Sequence, residues 1–118
     1  WLFVEDHVDA IIKILFNKKY INQRFNISGN NQVKNIDLVK KICNSLNSLI
    51  PSKPNNLKDF KDLIEFVKDR PGHDRKYILN SKKITNNLNW KPKFNIDRGM
   101  ILTLKWYLKN MEWSKYKI

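Results

Sequence analysis

The chain has 118 residues and a net charge of +12, from 23 Lys and Arg against 11 Asp and Glu, with one cysteine and three glycines. That length is one domain's worth, enough for a modest core but short for an enzyme that folds a cofactor site and a substrate site separately. No apolar run approaches the roughly 20 residues that span a bilayer, and the opening WLFVEDHVDA lacks the basic start and small-residue cleavage site of a secretory signal, so a soluble protein with no membrane partner is expected. The lone Cys43 cannot form an internal disulfide and suits a reducing, cytoplasmic compartment.

A charge of +12 raises the possibility of a nucleic-acid partner, since a basic surface is the footprint of phosphate binding. The lysines, however, are scattered in ones and twos. Lys far outnumbers Arg, Asn and Ile are abundant, and Ala10 is the single alanine, a pattern that fits an AT-rich coding sequence. No known nucleic-acid motif is present, so nucleic acid ranks below a small phosphorylated ligand.

In chain order, WLFV reads as a strand interrupted at Trp1, which implies that the chain was cut from a longer protein. Residues 5–15 place Val8, Ile11, Ile12 and Leu15 on one helical face, with Glu5 and Asp6 in the first turn. For His7, on the flank, a surface role is favoured over catalysis. RFNISG alternates Phe25 and Ile27 inward, as a short buried strand would. From Asn35 a helical stripe of Leu38, Val39, Ile42, Cys43, Leu46, Leu49 and Ile50 runs to Pro51, with Asn35 as N-cap. LKDFKDLI reads as a short helix, and EFV and KYIL as strands on either side of KDRPGHDR. A helix capped by Ser81 ends with Asn89 in the left-handed position and Trp90 folding back; the last helix, 97–109, puts Met100, Ile101, Leu104, Tyr107 and Leu108 inward and leaves Trp106, Trp113 and Tyr116 off the stripe. The expected fold is therefore α/β: short strands at 25–28, 66–67 and 77–79 packed with about four helices, and an exposed strand at 1–3 that could join two copies as a homodimer.

The stretch KDRPGHDRKY, residues 68–77, interrupts alternating acids and bases with Pro71-Gly72. Pro71 drives Arg70 toward extended backbone and Gly72 permits a turn few residues tolerate, giving an elbow that carries Arg70, His73 and Arg75. Two of the four arginines sit here, and Arg is the side chain suited to bidentate phosphate contact. A surface turn held by Asp69–Arg70 and Asp74–Arg75 ion pairs is an equal alternative. Asn35, where a strand-to-helix turn presents free N–H groups, is a second candidate anion contact, or merely a cap.

Catalytic signatures are missing. Gly29, Gly72 and Gly99 are too dispersed for a phosphate-cradling loop, no tyrosine is followed four residues later by lysine, and two histidines and one cysteine give no metal-ligand spacing. By its residues alone the chain binds rather than reacts.

WLFVEDHVDAI, FNISGNNQVKNIDLV, FVKDRPGHDRKYIL, NLNWKP and GMILTLKWYLKN, in this order, resemble the C-terminal part of the dTDP-glucose 4,6-dehydratase family, extended short-chain dehydrogenase/reductases of the NAD-dependent epimerase/dehydratase type. The resemblance covers essentially the whole chain, and DRPGHD is its most specific part; WLxVEDH and WxP are shared with other nucleotide-sugar enzymes. It implies an N-terminal Rossmann domain, absent from this chain, that binds NAD and carries the catalytic groups. The family oxidises C4 of the glucose, eliminates water across C5 and C6, and returns the hydride to C6. It implies further that residues 1–118 grip dTDP-glucose or a related nucleotide-sugar, with Arg70, Asn35 and His73 at the diphosphate and Arg75 and Tyr77 nearby. No catalytic, cofactor or metal residue is expected in this chain. Ser28, Lys76 and Asn89 depart from the usual pattern and bear on fine substrate preference. A UDP-sugar epimerase or another nucleotide-sugar dehydratase is the same-superfamily alternative, and a small basic nucleic-acid-binding protein is the alternative from a different class.

Overall fold

A computed structural model describes residues 1–29 and 31–115. Among the described residues five α-helices are formed: α1 (Val4–Leu15), α2 (Asn35–Leu49), α3 (Lys82–Leu88), α4 (Ile96–Lys109) and α5 (Met111–Lys115), with 3-10 turns at Lys18–Tyr20, Pro54–Asn56 and Phe60–Leu63. The chain divides into two compact units, one of Trp1–Gln32 with Ile78–Met100 and the other of Val33–Tyr77 with the described residues from Ile101 onward.

The first unit is organised around Ala10, Ile84 and Trp90, with Leu2, Ile14, Phe25, Ile27 and Leu88 packed against them. Trp90 is only 1% exposed. It reaches the core because Asn89 turns the chain through the left-handed region (φ 47°), stopping α3 where the sequence placed that stop. Ser81 is buried at the head of α3, but the Lys82 N–H there is accepted by the side chain of Asn80.

The buried side of α1 is not the aliphatic stripe. Val8, Ile11, Ile12 and Leu15 are 47% to 72% exposed, whereas Asp6 and Ala10 are buried and Ile14 is half-buried. Positions 6, 10 and 14 are successive i, i+4 neighbours on one line of the helix. The small Ala10 lets the α1 backbone approach Trp90 and Ile84, and Asp6 supplies an acceptor described below.

The expected strands are absent: no residue among those described is in a β-ladder, so the α/β assignment gives way to a helical chain with long irregular connections. Phe25 and Ile27 do alternate inward, but the segment is fastened by side chains. The Tyr20 ring meets Phe25 edge-on at 5.6 Å, and its hydroxyl donates to the Asn87 carbonyl (3.0 Å). Lys83 Nζ lies 4.8 Å from the Phe25 ring centroid and donates to the Arg24 carbonyl (2.9 Å). Alternation predicts only which residues turn inward; a strand also requires a neighbouring backbone for its N–H and C=O groups, which is a long-range property. Residues 66–67 and 77–79 are likewise exposed and belong to no ladder. At 1–3 the backbone forms no strand either, so the edge expected to join two copies is not formed; Val4 already belongs to α1.

In the second unit α2 buries Leu38 and Cys43 and half-buries Ile42, Leu46, Leu49 and Ile50, while Val39 lies on its margin. Lys34, not Asn35, is its N-cap; Asn35 is the first helical residue. The Phe60–Leu63 turn replaces the longer helix expected there and packs on α2 through Asn47, which donates to Asp59 Oδ1 (2.7 Å) and accepts from the Phe60 N–H (3.1 Å). Beyond it, Trp106, Tyr107 and Trp113 form a partly exposed group of edge-to-face rings 5.1 to 6.2 Å apart. Tyr107 thus belongs with the off-stripe aromatics rather than with the half-buried Ile101, Leu104 and Leu108. Tyr116 lies outside the described residues.

Candidate functional site

The elbow is present as a turn at Pro71 and Gly72, and Gly72 has φ of +72° with open space around it. Pro at the second position and a positive-φ Gly at the third are what a type II turn demands. The turn returns His73 toward Asp69: Asp69 Oδ1 accepts the Arg70 backbone N–H at 2.8 Å and lies 2.7 Å from His73 Nδ1. Both bonds act on the charged form of Asp69. The His73 hydrogen bond first, then the Arg70 N–H, hold its carboxyl below the usual carboxylate range.

The pairing differs from the one the sequence suggested. Asp69 is engaged by His73 and by the Arg70 backbone, which leaves the Arg70 guanidinium exposed and without a partner among the described residues. His73 is partly covered, its side chain 31% exposed. Asn35, Arg75 and Tyr77 are all exposed, and no hydrogen bond joins them to the elbow. Asp69 was missed as an organising residue because it was read as an ion-pair partner of its neighbour. The signal that could have found it is an Asp one residue before X-Pro-Gly, where a short carboxylate reaches backbone beyond it. Chemically the arrangement supplies one uncommitted guanidinium and one imidazole oriented by a carboxylate, a donor set for an anion.

The glycines offer a dinucleotide no cradle. A Cβ at Gly29 would overlap the Trp1 carbonyl oxygen, and one at Gly99 would come within 2.9 Å of Phe3 Cβ, so both are filled by the chain's own atoms. Only Gly72 is open, and it stands alone. The three glycines therefore form no phosphate-cradling loop. Among the described residues no group of three His, Cys, Asp or Glu could hold a metal ion, and no helix is long and apolar enough to cross a membrane.

Comparison with known proteins places the chain in a family. The chain belongs to the GDP-mannose 4,6 dehydratase family, whose profile matches residues 1–103. Within that family it resembles the dTDP-glucose 4,6-dehydratases. It is 48% identical to the Haemophilus influenzae dTDP-glucose 4,6-dehydratase over 93% of this chain and 32% of the relative. With an Escherichia coli dTDP-glucose 4,6-dehydratase it shares 43% identity over 96% of this chain and 31% of the relative. A crystal structure of the Bacillus anthracis dTDP-glucose 4,6-dehydratase in complex with NAD superposes with a TM-score of 0.73 at 36% identity, over 96% of this chain and 32% of that one. The chain thus spans about a third of the length of the curated relatives it matches.

Proposed function

We propose that this chain is the nucleotide-sugar-binding, C-terminal part of a dTDP-glucose 4,6-dehydratase and grips the diphosphate of dTDP-glucose at the elbow. The observation that carries the reading is the free guanidinium of Arg70 on a turn preset by Pro71 and Gly72, next to an imidazole already bonded to Asp69, in a chain that resembles this enzyme along nearly its whole length. Arg70 neutralises the diphosphate, His73 bonds it, and Asn35, at the first turn of α2, donates a side-chain amide to the same ligand. Arg75 and Tyr77 flank the ligand. The NAD and the acid and base groups of the reaction belong to an N-terminal Rossmann domain of the parent protein, so residues 1–118 bind and orient the substrate without turning it over.

Titration of dTDP, UDP and random-sequence duplex DNA onto the chain, followed by NMR, tests the reading. dTDP at millimolar concentration is expected to shift the signals of Arg70 and His73, UDP to do so more weakly, and Arg70→Ala to weaken dTDP binding about tenfold, the loss of one charge-assisted contact. An unmoved elbow would overturn it. So would equal binding by UDP, in favour of a UDP-sugar enzyme, or duplex binding that alone responds and falls steeply with salt. Formation of a 4-keto sugar by this chain alone would refute the division of labour.

A further inference from the structure

The Asp69–His73 contact does more than close a turn. At neutral pH Asp69 is ionised, its carboxyl being held below its ordinary range, and an ionised carboxylate only accepts hydrogen bonds. The nitrogen 2.7 Å from Oδ1 must therefore carry the proton, and the ring is the Nδ1–H form. Nδ1 is thereby used up inside the elbow, and Nε2 becomes the one ring nitrogen available to a ligand. The same oxygen takes the Arg70 N–H at 2.8 Å, so one atom fixes both the backbone that bears the guanidinium and the direction of the imidazole. The left-handed backbone at Gly72 makes that return possible.

We propose that Asp69 is the positioning residue of the elbow: it holds the Nδ1–H of His73 so that Nε2 faces the phosphate bound by Arg70 and, on taking up a proton from solvent, donates to it. This rests on the diphosphate reading above for the identity of the ligand, but not for the tautomer. Asp69 itself touches no ligand in this scheme. It acts through His73, as a carboxylate behind an imidazole does wherever one ring nitrogen has to be reserved.

The test is the ring 15N spectrum of His73, with His7→Gln, an exposed position, removing the other histidine. Neutral His73 is expected as the Nδ1–H form in the parent and in Asp69→Asn, whose amide oxygen can still accept, and as a tautomer mixture in Asp69→Ala. Affinity for dTDP is expected to fall about tenfold in Asp69→Ala and less than about threefold in Asp69→Asn. A merely structural role would not move the tautomer, and the side chain of Asp69 is 73% exposed, so the variants retain the fold. In His73→Gln the Asp69 carboxyl is expected to titrate closer to the ordinary carboxylate range. A tautomer unchanged in Asp69→Ala overturns the proposal, as does full dTDP affinity in Asp69→Ala where Arg70→Ala has lost it. If no form binds dTDP, the functional reading has failed, and the spectrum still decides what Asp69 does to His73.

Discussion

The Asp6 carboxylate accepts the backbone N–H of Lys93, 87 positions away, at 2.8 Å through Oδ1. Its other oxygen accepts the Phe94 N–H at 3.1 Å, and the Lys93 ammonium bonds Asp9 at 3.1 Å. One acidic residue, buried in the first turn of α1, thus closes the connection between Trp90 and α4 within the first unit. Phe3 adds to this junction, its ring centroid 4.7 Å from that of Phe94. The expected first-turn role of Asp6, complementing the helix dipole, is the smaller part of what it does.

Asp6→Ala is therefore expected to destabilise the protein by about 2–5 kcal/mol, because two N–H groups lose their acceptor where water cannot readily replace it. Asp6→Asn should recover part of the loss, since its amide keeps one acceptor oxygen but turns an NH2 group toward the other donor. Urea unfolding of the three proteins checks the order. Glu5→Ala, at an exposed position in the same turn, should change stability by less than about 0.5 kcal/mol.

Asn47 plays the corresponding part in the second unit. Asn47→Ala removes the acceptor of the Phe60 N–H and should cost about 1 kcal/mol, with faster amide exchange confined to residues 60–63.

The bond that Asn47 donates to Asp59 has a pH signature. Asp59 is held below its ordinary carboxylate range, first by the Lys61 N–H and then by the Asn47 amide. A depressed carboxyl binds fewer protons folded than unfolded, so its contribution is complete above the unfolded-state value and is lost as pH falls through the folded one. Stability of the parent should fall on acidification through and below the usual aspartate range, and Asn47→Ala should show a smaller fall. Denaturation midpoints measured at a series of pH values decide this, and an acid limb unaltered by Asn47→Ala would count against it.

Gly29 and Gly72 should respond differently to alanine. Gly72→Ala meets no atom but must hold φ of +72°, a strain of about 1–2 kcal/mol. Gly29→Ala drives a methyl into the Trp1 carbonyl, where backbone has to move, and also disturbs Asn31, which bonds the carbonyls of Trp1 and Gly29 at 3.1 Å each. Thermal melts should show the larger loss for Gly29→Ala, whereas loss of dTDP affinity should be confined to Gly72→Ala.

Cys43 is buried on α2, and burial chiefly, followed by the negative charge of Asp59, pushes its thiol up. Since the thiolate is the reactive species, labelling by a thiol reagent at neutral pH should be slow in the folded protein and quick in urea. Fast labelling without denaturant would show that α2 does not pack as described.

Much of this architecture was legible in the sequence, wherever the cause lies within a few residues. Helix positions followed from 3.6-residue periodicity, the end of α3 from Asn89, the end of α2 from Pro51, and the elbow from Pro71-Gly72, because φ/ψ preferences and i, i+4 neighbours are local physics. The motifs around DRPGHD likewise carried the family. What only the tertiary structure decided involves partners far apart or a choice among faces. Alternation in FNIS could not say whether a neighbouring backbone existed to complete a ladder, and a helix with an aliphatic stripe could not say that the line of Asp6, Ala10 and Ile14 would be buried instead. Which carboxylate holds His73 was equally a matter of where a turn delivers its ends, and the turn delivers His73 to Asp69.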